Sequence, residues 1–485
     1  MTDSRHFIAV DLGAQSGRVV LGTFTPRGLI LAEVHRFQNE PVTIAGILCW
    51  DTDELFEQTL AGIARAIGEV AAMGGRVEGI SVDSWGVDYG LIDAGGALVV
   101  PVRNYRASDP AIVAIANERV SAAEAYARTG ITEMAINTCF QLIRDARAGL
   151  LTGSPSVLLT PDLWTYWLTG TIGAERTIAS TTGLLDQQTG EWAHDLTDRL
   201  GIASAALPNL VDAGSPAGVT LPAINERLGM HDPRARSHGP IPVIRGASHD
   251  TASAFATVCD PGDGIAVISC GTWALVGCST QGPVLSLEAM NTGFTNEQGV
   301  GGSTIFVRNL SGTWLLEECL RTWLEEDPGA QTVPELRAAL LGEVSAAGGA
   351  SLAGTIDPGH PSLIEAGNMP GRIADLYQRT CGDPQDLGRV DLVRLILLSL
   401  ANSFDSSIKD ASRLTGQAFT EIRMIGGGSQ IQPLVNLTRE VTGLPVVTGP
   451  AEATSIGNLC IQAVAVGVFE TLRQARLAAR RSELS

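Results

Sequence analysis

The chain has 485 residues, 45% hydrophobic and 18% charged, which is length enough for two or more domains with large cores and excludes wholesale disorder. A formal net charge of −19 with no local basic run argues against a nucleic-acid or anionic-membrane surface and leaves a small-molecule partner as the expectation. Of the 33 basic residues only Lys409 is lysine, which excludes a lysine-bearing phosphate loop and a protein-kinase lysine in the first half; phosphate charge must be met by backbone, arginine and metal.

The stretch 7–24 reads FIAVDLGAQSGRVVLGTF. Its apolar run with β-branched members suits a buried strand, Gly13 and Gly17 bracket a turn, and 18–24 resumes a strand pattern. Backbone N–H groups of such a loop converge readily on an anion, and Gln15, Ser16 and Arg18 can add donors to phosphate oxygens. Asp11, at the mouth of that loop, repels a phosphate unless a divalent cation separates them, an arrangement that suits Mg²⁺. The plainer reading is a hairpin whose Asp11 caps its own turn, and this stretch alone does not separate the two.

Residues 29–37 read as a third strand of an antiparallel meander. Trp50-Asp51 opens a helix through Leu55, Leu60, Ile63, Ile67 and Val70 that stops at Gly74-Gly75. A strand over 77–82 leads into Asp83-Ser84-Trp85-Gly86-Val87-Asp88-Tyr89, where two carboxylates and two aromatics surround a glycine. Alanine-rich helical sequence fills most of 111–150, and Thr160-Pro161-Asp162 begins a helix whose Trp164, Tyr166 and Trp167 read as core. The Gly-, Pro-, Asp- and Ser-rich stretch 190–242 has the composition of a connection, which puts a domain boundary near Arg245 and divides the chain into 1–244 and 245–485.

Beyond the boundary, 264–279 reads GIAVISCGTWALVGCS, again strand, glycine turn, strand. Aligning Ile265-Ala266-Val267 with Ile8-Ala9-Val10 implies an internal duplication, with two glycine turns facing each other across a cleft. Asn309 precedes an amphipathic helix carrying Trp314, Leu315, Leu316, Leu320 and Trp323, and 392–408 is a further helix. A strand over 422–425 runs into Gly426-Gly427-Gly428, where a planar or phosphorylated group can lie on bare backbone unless the glycines serve only a tight turn. A helix over 434–441 and a final alanine-rich helix close the chain.

At the boundary, 243–254 passes from strand to helix with His249, Asp250 and Thr251 at the helix entrance. Asp at a helix start is ordinarily a cap. At the hinge of a cleft opposite a metal-phosphate loop, the same carboxylate is placed to take a proton from a hydroxyl attacking a γ-phosphate, with His249 as a substrate contact.

Taken together, AVDLGAQSGR (9–18), WGVD (85–88), SHDTAS (248–253), CGTWALVG (270–277), NLSGTWLL (309–316), IGGGSQ (425–430) and GPAEATSIGN (449–458) resemble, in that order and over nearly the whole chain, the FGGY family of carbohydrate kinases, and within it the rhamnulokinases. The resemblance implies an α/β, actin-like (ribonuclease H-like) ATPase fold of two duplicated domains about a central cleft. It implies a cytoplasmic ATP- and Mg²⁺-dependent kinase of a ketose, L-rhamnulose first and L-fuculose or another ketose or polyol as alternatives, working as a monomer or homodimer without nucleic acid or membrane. A nucleotide-dependent sugar-binding protein is the non-enzymatic alternative. Carried onto this sequence, Asp11 is the metal carboxylate; Gly13, Ala14, Gln15, Ser16, Gly17, Arg18, Gly271, Thr272, Glu317, Gly426, Gly427 and Gly428 meet the nucleotide. Asp250 is the catalytic base, and Gly86, Asp88, His249, Asp250, Thr251 and Asn309 surround the sugar. The chain departs from the family pattern at Ala107 (usually Asp), Gln15 and Cys270 (usually Ser) and Glu317 (usually Gln), which leaves the choice of sugar open.

Overall fold

The computed structural model describes residues 4–230, 239–327, 332–346, 352–382 and 387–480. Strands β1 (Arg5–Leu12), β2 (Ser16–Thr25) and β3 (Gly28–Gln38) form the expected antiparallel meander. Helix α1 (Thr52–Ala72) starts at Asp51, whose side chain accepts from the Glu54 amide at 3.1 Å, and its chain turns away at Gly74, φ 71°. Strand β4 (Val77–Ser84) then returns parallel to β1.

Alternation along β1 decides which side each residue serves. Ile8, Val10 and Leu12 pack with Leu55, Leu60 and Ile63 of α1, while Phe7 and Ala9 face the opposite layer, so both faces are covered and the strand reads as one apolar run. Asp11 shares the face of Phe7 and Ala9, which is the face that meets the rest of the molecule. The predicted helical stretch 111–150 is three helices, Pro110–Asn117, Ala122–Thr129 and Thr138–Arg147, part of a satellite core on this half.

The reading of 190–242 as a connection is corrected. Of its described residues, His194–Leu200 and Pro222–Arg227 are helices and β5 (Pro216–Val219) leads to β6 (Pro242–Ile244), both strands of the first sheet; 231–238 lie outside the described residues. The presumed breakers are punctuation inside folded structure: Gly201 is a left-handed helix cap and Pro222 a helix start.

Helix α2 (Asp250–Val258) leads to the first four strands of the second sheet, β7 (Ile265–Cys270), β8 (Trp273–Thr280), β9 (Phe294–Gln298) and β10 (Thr304–Ser311). Helices α3 (Trp314–Glu326) and α4 (Arg389–Thr415) follow, then β11 (Glu421–Ile425), α5 (Gln432–Thr442), β12 (Val446–Thr448), α6 (Ala453–Ala465) and α7 (Leu472–Arg480). The sheets run β5-β6-β4-β1-β2-β3 and β9-β10-β8-β7-β11-β12. Five strands correspond in order and sense, β3-β2-β1-β4-β6 with β10-β8-β7-β11-β12, an antiparallel meander joined to two parallel strands. The duplication is therefore architectural, and the fold is the actin-like α/β one.

Its register differs by one residue from the alignment of Ile265 with Ile8. Val267 packs with Ala252, Ala254 and Phe255 of α2, whereas Ala266, Ile268 and Cys270 face the α4 side. Inward-facing Ala9 and Asp11 thus correspond to Val267 and Ser269, and Gly13 to Gly271; a one-residue slip exchanges the faces of a strand. Between the sheets α6 crosses α2 at Gly457, where a Cβ would stand 1.9 Å from the Ser253 carbonyl oxygen. Ile456, Leu459, Cys460 and Ala463 of α6 pack on Phe7 and Ala9, so a helix from the end of the chain covers the first sheet.

Candidate active site

The two glycine turns open into one cavity of about 360 Å³, lined by Gly13, Ala14, Gln15 and Ser16 from the first and Gly271, Thr272 and Trp273 from the second, with Asp250 and Thr251 between them. The first turn is tied down through its carbonyls. The Asn39 side-chain amide donates to Gly13 O at 2.8 Å, the Asn39 backbone amide to Gln15 O at 3.0 Å, and the Gly13 amide to Ser16 O at 3.0 Å. In the second turn Thr313 donates its amide (2.8 Å) and hydroxyl (3.0 Å) to Gly271 O, and the Gly312 amide donates to Thr272 O at 3.1 Å. With the carbonyls occupied, the amides of Ala14, Gln15 and Thr272 have no acceptor among the described residues, the arrangement that binds anions.

The remaining glycines divide by role. Gly17 is required by packing, since a Cβ there would fall 2.3 Å from the Phe37 ring. Gly426 and Gly428 press on Cys270, where Cβ atoms would come 2.7 Å from its carbonyl oxygen and 2.4 Å from its sulfur; only Gly427 of the three faces open space. Glu317, in the first turn of α3, pairs with Arg337. Neither it nor the three glycines line the cavity.

Arg18 is not a free phosphate donor. Its Nε and Nη2 donate to Asp11 Oδ2 at 2.9 and 2.6 Å, and Nη1 pairs with Glu452; burial works against the charge, but the two carboxylates hold the guanidinium above its usual range. Ser455 also donates to Asp11 Oδ2, at 3.3 Å. On the neighbouring strand Asp83 is fully buried, takes the Asn458 side-chain amide on Oδ2 at 2.5 Å, and keeps a buried Oδ1 with no partner among the described residues. Burial, and then the Asp11 charge, push it well above the usual carboxylate range. Ser455 and Asn458 stand three apart on one face of α6, so GPAEATSIGN, to which sequence reading gave no role, holds this carboxylate pair.

Asp250 begins α2. Its Oδ1 accepts from the Thr251 amide at 2.6 Å, and burial together with the Asp11 charge raises its pKa to about 7. The Thr251 amide also reaches His249 Nδ1 at 3.1 Å, so the histidine is the helix cap and Asp250 is not indispensable to it. Burial holds His249 below its usual range, hence neutral, with Nε2 carrying the proton. The loop before them is clamped by buried Glu175, whose Oε2 accepts from the Ser248 amide at 3.0 Å, and by Thr177, whose hydroxyl accepts from the His249 amide at 3.1 Å.

Asp88 is spent on the protein. Its Oδ2 accepts from the indoles of Trp50 (2.7 Å) and Trp85 (3.0 Å) and the Tyr105 amide (3.3 Å), its Oδ1 from Gln141 (3.3 Å), and burial, against these donors, raises its pKa to about 6. It shapes the site from behind. Between it and Gly86, Val87 adopts φ 73°, strained for a β-branched residue and fixed by donors from Thr138 (2.8 Å) and Gln141 (3.2 Å) to its carbonyl. A Cβ on Gly86 would meet Thr181 Oγ1 at 3.0 Å. Asn309 is exposed on β10 beside Leu275, a residue of the cavity wall, but does not itself line it. Sequence reading missed Arg106, Ser269 and Thr454 of the lining, together with Asp83. Arg106 is exposed and has no carboxylate partner among the described residues.

The comparisons with known proteins agree with this architecture. Residues 6–256 match the N-terminal domain and 266–466 the C-terminal domain of the FGGY family of carbohydrate kinases. Curated relatives include rhamnulokinases of Bacteroides thetaiotaomicron (35% identical, covering 96% of this chain and 91% of the relative) and Enterococcus faecalis (34%, covering 98% and 92%). Solved structures of similar fold include xylulose kinase from Rhodospirillum rubrum (TM-score 0.78, 18% identical, covering 98% and 92%) and Plasmodium falciparum glycerol kinase with ADP (TM-score 0.75, 14% identical, covering 98% and 92%). Paired sheets with opposed glycine turns define the actin-like class of α/β fold. Within that class, the chain belongs to the FGGY family of carbohydrate kinases: it is an ATP-dependent sugar kinase. Among the described residues no helix is long and apolar enough to cross a membrane.

Proposed function

We propose that this kinase transfers the γ-phosphoryl group of ATP to the primary hydroxyl of L-rhamnulose, giving L-rhamnulose 1-phosphate, with L-fuculose or another ketose or polyol as the alternative acceptor. The choice of sugar is supported by curated rhamnulokinases at 31–35% identity over most of the chain. The observation that carries the mechanism is that Asp250 lines the same cavity as both glycine turns.

In this reading the amides of Ala14, Gln15 and Thr272 spread over the phosphate oxygens, and Arg106 adds positive charge at the rim. Asp250, with a pKa of about 7, takes the hydroxyl proton as the oxygen attacks phosphorus. Gly86, His249, Thr251 and Asn309 are assigned to the sugar, and Gly427, with open space beside it, to the nucleotide base. Arg18 acts through Asp11.

Asp11 is assigned to the Mg²⁺ that accompanies ATP, with Asp83 behind it. Among the described residues no three His, Cys, Asp or Glu side chains form a cage, but Mg²⁺ on a nucleotide needs only one or two carboxylates, phosphates and water supplying the rest. The donors fit: all three bonds to Asp11 fall on Oδ2, leaving Oδ1, and Asp83 Oδ1 is an orphaned buried oxygen. When bound, the ion offsets phosphate charge beside these acids. We divide the chain at Arg245 into 1–244 and 245–485, meeting where α6 packs on Phe7 and Ala9 of β1, and place the enzyme in the cytoplasm, consistent with eight unpaired cysteines. ADP release coupled to a spectrophotometric readout, with Mg-ATP and a panel of ketoses, tests the assignment. L-rhamnulose should give the highest kcat/KM; a rate no greater than sugar-free ATP hydrolysis would overturn it.

A further inference from the structure

Glu297 lies on β9, the edge strand that the second sheet adds beyond the five it shares with the first. That strand is fastened to the N-terminal half. The Tyr126 hydroxyl donates to Phe294 O at 2.8 Å, the Asn296 amide to Gly130 O at 2.8 Å, the Gln187 side chain to Asn296 O at 2.9 Å, and the Gln298 amide to the Ser180 hydroxyl at 2.9 Å. Bonds on either side of Glu297 thus fix where its side chain starts. Its Oε2 reaches to 3.8 Å from His249 Nε2, too far for a hydrogen bond, and is buried without a hydrogen-bond partner among the described residues.

His249 Nδ1 is occupied by the Thr251 amide, so Nε2 presents an N–H toward that carboxylate. A donor at the entrance of α2 and an acceptor on the edge strand β9 therefore face each other next to Asp250. An orphaned buried carboxylate is costly, and a sugar hydroxyl, donor and acceptor at once, satisfies both groups.

We propose that Glu297 and His249 together read one hydroxyl of the sugar other than the one that Asp250 deprotonates: His249 Nε2–H donates to its oxygen, and its proton is donated to Glu297 Oε2. The assignment rests on the sugar binding at the His249–Asp250 end of α2, and it makes Glu297 a specificity residue. A sugar lacking that hydroxyl leaves both groups unpaired, the kind of mismatch that discriminates most strongly.

The test uses Glu297→Gln and Glu297→Ala in the full-length enzyme, with KM for sugar and for ATP, melting temperature, and a set of ketoses each lacking one hydroxyl. Both variants should raise the sugar KM by about 10- to 100-fold, the worth of a hydrogen bond to a charged group, and leave the ATP KM unchanged. Because Oε2 has no protein partner, Glu297→Gln should not lower the melting temperature, as loss of a structural contact would. The wild type should reject one deoxy-ketose strongly, and Glu297→Ala should accept it nearly as well as the parent sugar. A sugar KM within about twofold of wild type in both variants, or a parallel rise in both KM values with a lowered melting temperature, overturns the proposal. His249→Asn run alongside separates the two failures. If it raises the sugar KM while the Glu297 variants do not, only the role of Glu297 falls; if it too has no effect, the location of the sugar site falls with it.

Discussion

Replacing Asp250 with Asn keeps the shape of the side chain and removes its ability to take a proton. In the wild type burial, and then the Asp11 charge, lift this carboxyl from 3.8 to about 7, against the amide and hydroxyl of Thr251. The side chain keeps 34% of its surface open to the cavity, so water reaches the carboxylate and tempers its isolation. A base of this strength must be ionised to act, so kcat/KM should rise with pH through about 7 and level off above it. Asp250→Asn should lower turnover by about 10²- to 10⁴-fold and abolish that acidic limb, with sugar affinity little changed. Stability should move the other way. A carboxyl whose folded pKa is raised contributes stability fully below its unfolded value of 3.8, and that contribution is lost as the pH rises through about 7. The Asn variant has no charge to bury, so at about pH 8 it should melt at or above the wild-type temperature. A simple cap predicts neither effect, and the helix start in any case keeps His249 Nδ1, 3.1 Å from the Thr251 amide. Steady-state rates and melting curves across neutrality test both; near-normal turnover with the acidic limb intact would refute the mechanism.

Asp11→Asn should raise the requirement for Mg-ATP far more than that for sugar, because it removes the carboxylate assigned to the nucleotide's ion; equal losses in both KM values would count against the assignment. Gly457→Ala should destabilise the fold by about 1–3 kcal/mol in urea unfolding, since overpacking a backbone crossing outweighs the helix-propensity gain of about 1 kcal/mol. A variant as stable as wild type would mean that the α2–α6 contact, where an added Cβ would stand 1.9 Å from Ser253 O, is not closed as described. Sugar plus a non-hydrolysable ATP analogue should make the molecule more compact, because two halves hold parts of one site; superimposable X-ray scattering profiles would speak against closure.

The two hairpins were legible because a buried strand announces itself locally: an apolar run, a glycine turn, another run. Their exact correspondence was not. Ile8-Ala9-Val10 and Ile265-Ala266-Val267 look alike as letters, yet which face a strand residue serves depends on the layers packed against it, and those put Ala9 with Val267. The stretch 190–242 failed for a related reason: helices as short as Pro222–Arg227 carry little periodicity, and their Pro and Gly punctuation is the same in a loop. Of the candidate site, Asp250 could be read from a strand-to-helix junction and the two turns from strand–turn–strand patterns, and the three share a cavity. What escaped were partnerships between distant segments. Asp11 with Ser455, Asp83 with Asn458 and Glu297 with His249 are joined by topology, and neither composition nor spacing encodes them. Gly426 and Gly428 look like a ligand platform in sequence, but their lack of a Cβ is explained by Cys270 against them.

The central claim is that the terminal phosphoryl group of ATP ends on the primary hydroxyl of a ketose held beside Asp250. Phosphorus NMR of a turnover mixture of enzyme, Mg-ATP and L-rhamnulose reads this directly. The account predicts ADP together with a new phosphomonoester signal split by the two protons of the C1 methylene, and no such signal with Asp250→Asn over the same period. Unconsumed ATP, or ADP accompanied only by inorganic phosphate, would contradict it.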